Sequence, residues 1–363
     1  MQPVRLKLTF ELMRAYEMLD SVRLKEPKTA TDEELELVHD PGYIAKVKEL
    51  SSAAPAGAGL GWGLGTGDNP VFPDMHEAAA TVVGGALVAA GMIMEGELDH
   101  AFHMGGGLHH ALRARASGFC IYNDPAVAIA WLKARYGVRV LYLDIDAHHG
   151  DGVQYAFEED PDVMTISFHE SGRFLFPGTG FTEDVGRGSG RGYSVNLPLA
   201  PGSSDDIYLE AFDALVPPLA RAFRPGIILT QDGCDAHWSD PLSHLALTLA
   251  GYRRLFQRQH DLAHELTRGR WLALGGGGYQ AYTVVPRAWT ILLGVMAERQ
   301  LDERLPESWR QLAAKYESGP VPDFLSREEE FPAAAPGAYA QARAAAREEI
   351  AAIKGSVFKL TGA

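Results

Sequence analysis

Residues 138–152 read VRVLYLDIDAHHGDG, and their pattern decides the fold. Residues 138–143 are mostly apolar and rich in β-branched or aromatic side chains, as in a buried strand. Asp144, Asp146 and His148 follow at every second position, so an extended backbone projects them to one side. His149, Gly150, Asp151 and Gly152 complete the stretch. Packing does not account for three hydrophilic side chains converging where a buried strand ends. An ionised carboxylate is costly to bury unless paired or metal-bound. The expectation is a divalent metal site.

Working outward, the same design recurs. Apolar runs at 163–169, 227–230 and 271–274 lead into His169, Asp235 and Tyr279, and a short strand is expected at 193–197. Helices are expected at 126–136, from about 153, at 205–223 and at 244–268. Strands alternating with helices imply a largely parallel α/β sheet covered on both faces, with ligands beyond the strands' carboxyl ends. Nearer the start, Leu8, Leu12, Ala15 and Leu19 mark a helical face. Thr31 and Glu34 form a capping box, and Asp40-Pro41 opens a helix through Leu50. Residues 51–67 are Ala/Gly-rich and read as a surface loop ending at Asp68-Asn69-Pro70, and 171–192 as a Gly-rich loop. With no repeat and no linker, one domain is expected over 1–363, with a helical segment near 337–353.

The 363 residues carry a formal charge of −14, with 46% hydrophobic and 22% charged side chains, an ordinary globular balance. So acidic a chain is unsuited to broad nucleic-acid binding, which relies on Lys and Arg clusters against phosphates. Cys120 and Cys234 are too few for a disulfide framework, which points to a reducing cytoplasm. Residues 1–20 are charged throughout and hold no signal-peptide core. The uncharged run 78–94 falls short of the roughly 20 residues a membrane helix needs and reads as a buried helix, so no membrane is expected. Nothing in the composition specifies an oligomeric state.

Asp235, after a second buried strand, is the best third ligand beside Asp146 and His148. An Asp-His-Asp set leaves space for water, as catalytic metal sites do. Zinc suits the imidazole and the low ligand count, and two carboxylates leave Fe(II) or Mn(II) open. His109 and His110, adjacent in a Gly-rich loop, are the natural acid and base toward a metal-activated water. Asp144 and Asp151 remain to orient them, although Asp151 would equally cap a following helix. Tyr279 follows four glycines, a backbone able to lie close to a ligand, and its hydroxyl suits an oxyanion. Each feature alone has a plainer reading: a surface His-His pair, a tight Gly turn, Phe119 and Phe176 as core, Asp68 and His169 as ordinary polar residues. Their shared position at strand carboxyl ends favours chemistry.

GGLHHA (106–111), SGFCIYND (117–124), LYLDIDAHHGDGVQ (141–154), FPGTG (176–180), YSVNLPL (193–199), QDGCDAH (231–237) and LGGGGY (274–279) together resemble the zinc-dependent histone deacetylase family. The wording is closest to class I and bacterial acetoin-utilisation-type members, from about Arg5 to Tyr279. The resemblance implies an arginase-like three-layer αβα sandwich and hydrolysis of an Nε-acetyl-lysine amide, releasing acetate and lysine, on an acetylated protein. Asp146, His148 and Asp235 would bind zinc. Asp144 would support His109, an electrostatic helper, and Asp151 would support His110, the general base and acid. Tyr279 would polarise the acetyl carbonyl. Gly118, Phe119 and Phe176 would flank the acyl-lysine stem, Asp68 would hold substrate backbone at the rim, and Arg5 would floor an acetate-release channel. The family also binds structural potassium. Asp144, Asp146, His148, Ser167 and Phe168 match one such site, and Phe157, Asp160, Val163 and Tyr193 a second.

The chain departs from the family in three places. Relatives usually begin with a strand and a His-Pro segment ahead of the arginine, and here Met1 lies almost at Arg5, so that strand is expected to be missing. Asp232 stands where many relatives carry Cys. The acidic tail of eukaryotic relatives is absent, as in a bacterial, stand-alone enzyme. Alternative substrates for a similar tunnel are acetylpolyamines, other small acylated amines, acetoin-linked molecules and longer acyl chains. A binuclear-manganese ureohydrolase shares the fold but has no place for GGLHH and GGGGY. A non-catalytic binding module would not need every chemical motif retained.

Overall fold

The computed structural model describes residues 2–52, 59–328 and 336–363. Its strands are β1 His100–His103, β2 Val140–Asp144, β3 Val163–Glu170, β4 Ser194–Leu199, β5 Ile227–Gln231 and β6 Trp271–Leu274. They form one sheet in the order β1-β6-β5-β2-β3-β4, and every pairing is parallel. From β2 the chain steps outward to β3 and β4, then returns to the other side of β2 for β5 and β6. The crevice between the carboxyl ends of β2 and β5 is therefore the topological switch point, where open α/β sheets bind ligands.

The helices are α1 Val4–Ala15, α2 Asp32–Leu35, α3 Pro41–Ser52, α4 Met75–Met94, α5 Asp124–Tyr136, α6 Asp151–Phe157, α7 Asp205–Phe223, α8 Leu249–Thr267, α9 Val284–Met296, α10 Glu307–Ala313 and α11 Pro336–Thr361. Side-chain alternation along β2 sorts them into two layers. Leu141 and Leu143 join one apolar core with α1 and α7 to α11, whereas Val140 and Tyr142 join the other with α2 to α6. The molecule is a three-layer αβα sandwich.

The Thr31–Glu34 capping box forms in both directions, and Asp40 Oδ1 accepts from Gly42 N at the start of α3. Three sequence expectations need correction. Helix α4 starts at Met75, not Ala78, and its 20 residues are long and apolar enough to cross a membrane. Length does not exclude a span; the contrary observation is packing, with Ala80, Val83, Ala86 and Ala90 fully buried and α4 seated against α3, α5 and β1. The expected loop over 51–67 is shorter, because α3 runs through Ser52 and residues Leu60–Trp62 make a 3-10 turn; positions 53–58 lie outside the described residues. The C-terminal helix continues past 353 to Thr361 and covers the β4 edge. At the opposite edge β1 is only half-buried, beside a hollow of 1030 Å³ bordered by α1, α4 and α9.

Candidate active site

Strand β2 ends at Asp144, so Asp146 and His148 lie in the bend beyond it. Alternation nevertheless persists: Ile145 and Ala147 point into the apolar core, leaving Asp146 and His148 on the other side. His148 Nδ1 stands 3.0 Å from Asp146 Oδ1 and 3.0 Å from Asp235 Oδ2, and one ligand atom from each residue falls within 4.8 Å of the others. All three are buried. Asp235 is fixed from behind by Ala147 N at 2.7 Å. Asp146 Oδ2 accepts from Gln231 Nε2 at 2.7 Å and Gly277 N at 2.8 Å. A Cβ on Gly277 would lie 2.0 Å from Asp235 Oδ2, so this close approach requires glycine.

The electrostatics are those of a crowded acidic cage. Burial and the neighbouring Asp146 charge push Asp235 up to about 7, while the two carboxylates hold His148 well above its usual range against its burial.

The paired histidines arrive on the GGLHH loop. Their loop is tied down by Asp124, which accepts from Gly107 N at 2.9 Å and Leu108 N at 2.8 Å, and by Asn123 Nδ2, which donates to the carbonyls of His109 and Ala111. His109 Nδ1 donates to Asp144 Oδ2 at 2.7 Å, and the Tyr142 hydroxyl donates to the same oxygen at 2.8 Å. His110 Nδ1 donates to Asp151 Oδ1 at 2.7 Å, and the two Nε2 atoms meet at 3.0 Å. The dyads have opposite character. Burial opposes the charge on His109, but Asp144 and Asp146 outweigh it and raise the imidazole to about 9. Burial and the His109 charge push His110 down to about 4. Asp151 is the first residue of α6, whose N-cap is Gly150, so it is not the cap and its side chain serves His110.

Around this core, Phe176 lies 5.0 Å from the His110 ring and Phe119 lies 5.8 Å from the Tyr279 ring, centroid to centroid. Phe176 is exposed, and neither phenylalanine belongs to the apolar cores, against their plainer reading. Gly118, in the left-handed region at φ +50°, lies so close to His110 that a Cβ would meet its ring at 2.4 Å. His109, His110, Gly118, Cys120, Asp146 and Tyr279 line a hollow of 10 Å³, about the room one water needs. Arg5 is buried behind the glycine turn, with Nη1 on Gly278 O at 3.1 Å and its guanidinium 4.9 Å from the Trp289 ring centroid.

Other expected residues lie further out. Asp68 is exposed on the loop ahead of α4. His169 is buried, bonded to Ser167 Oγ and Gly180 O, and with His149 on Thr179 it anchors the loop that carries Phe176. Ser167 pairs in register with Asp144, and the Phe168 carbonyl accepts from Tyr208. Around the second expected potassium position, the carbonyls of Phe157, Asp160 and Tyr193 accept from Asp160, Val163 and Thr165, respectively. Sequence reasoning missed Gln231, Asn123, Asp124 and Asp240, whose Oδ2 accepts from Tyr279 N at 2.8 Å. Asn123-Asp124-Pro125 carried a helix-start signal. Nothing local signalled its second task of holding a loop some residues upstream.

The family model for the histone deacetylase domain matches residues 1–296. The acetoin utilization protein AcuC of Bacillus subtilis (strain 168) is 48% identical over 306 residues, 84% of this chain and 79% of that one. Its counterpart in Staphylococcus aureus (strain MRSA252) is 42% identical over 321 residues, 88% of this chain and 82% of that one. Among solved structures, an HDAC homolog complexed with SAHA superposes with a TM-score of 0.85 at 31% identity, covering 96% of this chain and 92% of that one. An HDAC homolog from Aquifex aeolicus gives 0.83 at 30% identity, covering 94% and 92%. A buried Asp-His-Asp cage at the switch point, with two carboxylate-backed histidines beside it, thus sits in a chain that belongs to the histone deacetylase family and is a deacetylase.

Proposed function

We propose that the chain hydrolyses the Nε-acetyl-lysine amide with zinc held by Asp146, His148 and Asp235. One observation carries this reading: two adjacent buried histidines, each on its own carboxylate, meet Tyr279 and Asp146, one member of the Asp-His-Asp cage, around a water-sized hollow. The donors fit a dication, because a buried pair of carboxylates already competes for positive charge at His148; Fe(II) suits the same set. When bound, the metal supplies Lewis-acid polarisation and lowers the pKa of a water.

The remaining steps belong to the side chains. His110, uncharged near neutrality, takes a proton from water at Nε2 as the water oxygen bonds to the acetyl carbon. The Tyr279 hydroxyl donates a hydrogen bond to the carbonyl oxygen as charge develops there. His109, kept positive by Asp144, adds to the same stabilisation. The C–N bond then breaks with its electron pair passing to the lysine nitrogen, and His110 Nε2 returns the proton to that amine. Phe119 and Phe176 would enclose the aliphatic stem, with Gly118 leaving room for it, Asp68 would hold substrate backbone, and Arg5 would attract the departing acetate. A structural potassium at Asp144, Ser167 and Phe168 belongs to the same reading. It is supported by the Asp144–Ser167 register, and thermal stability should fall when potassium is replaced by a bulky organic cation.

The test is product release from an acetyl-lysine peptide, an N-acetylpolyamine and arginine. Acetate from the peptide at the highest kcat/KM is expected. A preference of more than about tenfold for the acetylpolyamine, or urea from arginine, overturns the proposal.

A further inference from the structure

A second group of histidines gathers at the other end of the sheet, where β1 and β6 begin. His100 opens β1, in register with Trp271 at the start of β6. His260 and His264 sit four residues apart on α8 and so share one face of that helix. One ring nitrogen from each of the three lies within 4.8 Å of the others. Ring centroids are 5.0 Å apart for His100–His260, 5.0 Å for His100–His264 and 4.5 Å for His260–His264.

The hydrogen bonding leaves this cluster unfinished. His100 Nδ1 donates to Gly269 O at 2.8 Å, which fixes the tautomer and turns the Nε2 lone pair outward. That Nε2 faces His264 Nε2 at 3.1 Å. A single N–H from His264 would satisfy that pair and nothing else. His260 is 5% exposed, and neither of its ring nitrogens has a hydrogen-bond partner among the described residues. The nearest carboxylate oxygens, on Asp261 and Glu298, stand 3.7 and 3.8 Å from its two nitrogens, beyond hydrogen-bond reach. A buried imidazole without a partner carries the full cost of its lost hydration. A cation shared by the three rings removes that cost.

We propose that His100, His260 and His264 form a second transition-metal site, with the Glu298 carboxylate as fourth donor. Nitrogens bound tetrahedrally at 2.0–2.1 Å lie about 3.3 Å apart, close to the His100–His264 separation of 3.1 Å. His260 offers a nitrogen within 4.8 Å of both, and it would reach the same centre by a side-chain adjustment. Three imidazoles without thiolate suit Zn(II), Ni(II), Co(II) or Cu(II) rather than magnesium or calcium. The ion would clip the half-buried edge strand β1 to α8 across 164 residues of chain, a structural role separate from the deacetylase site.

The test uses the full chain, stripped with a chelator and reloaded with zinc chloride alone, comparing wild type with His264→Ala and Glu298→Gln. His264 is exposed, so its loss leaves the fold intact. Elemental analysis after gel filtration should find one zinc fewer per chain in His264→Ala, whatever the deacetylase site itself retains. Glu298→Gln should weaken the same equivalent without removing it, and zinc should raise the Tm of wild type above that of His264→Ala. Equal zinc content and equal zinc-dependent Tm in wild type and His264→Ala would overturn the site and leave a metal-free, hydrogen-bonded histidine pair.

Discussion

The two ends of the sheet use the same side chain for opposite purposes. At the carboxyl ends of the strands, His109 and His110 each lean on a buried carboxylate 2.7 Å away. At the other end, His100 leans on a backbone carbonyl, and His260 makes no hydrogen bond among the described residues, with carboxylates no nearer than 3.7 Å. Carboxylates lend an imidazole basicity and allow it to carry charge; a carbonyl fixes only its tautomer. The first environment suits proton transfer, and the second suits metal ligation without chemistry. Role follows from the partner, not from the histidine.

The comparison breaks most visibly at His110. His110→Ala should lower kcat/KM by about 10²–10⁴-fold, the usual weight of a general base, with bound zinc unchanged by elemental analysis. Loss of the metal as well would show that His110 supports the cage and not the proton. Tyr279→Phe should cost about 10²–10³-fold, as one oxyanion donor does, again with the metal retained; full activity would remove Tyr279 from the reaction. Asp144→Asn takes away a carboxylate that keeps His109 charged. Because that charged form is lost as pH rises through its pKa, the alkaline limb of the kcat/KM profile should move to lower pH, and an unmoved limb would contradict the helper role.

A smaller effect is expected at Asp232, behind the site. Its Oδ1 is buried with no hydrogen bond at normal length among the described residues, and burial pushes the carboxyl from 3.8 to about 7. The folded state therefore holds a proton that the unfolded chain has already released, and stability falls as pH rises through that window. Asp232→Asn should raise the denaturant midpoint at pH 8 and change it little at pH 4; equal shifts at both would place the effect elsewhere. His264→Ala should leave acetate release unchanged, the smallest effect of all.

Much of the active end was legible in the chain because it is built locally. Asp146 and His148 follow β2 directly, and Asp235 and Tyr279 each follow a short apolar run, so period-two patterning and the strand-end rule locate them. The dyad partners were legible through the resemblance; spacing alone left Asp151 divided between cap and relay. The supports were not legible. Gln231 reaches Asp146 across 85 residues and Asp240 reaches Tyr279 across 39, contacts that only the fold creates. The histidines of the opposite end were passed over for the same reason. His260 and His264 look like the polar face of an amphipathic helix until His100, from the far edge of the sheet, is laid against them.

The most direct measurement is a zinc titration of the chelator-stripped chain, following bound metal and acetate released from an acetyl-lysine peptide together. Turnover should rise with the deacetylase-site equivalent and stay flat while the second equivalent binds. No acetate at any loading, or full turnover with no metal bound, would contradict the assignment of Asp146, His148 and Asp235 as the centre of the reaction.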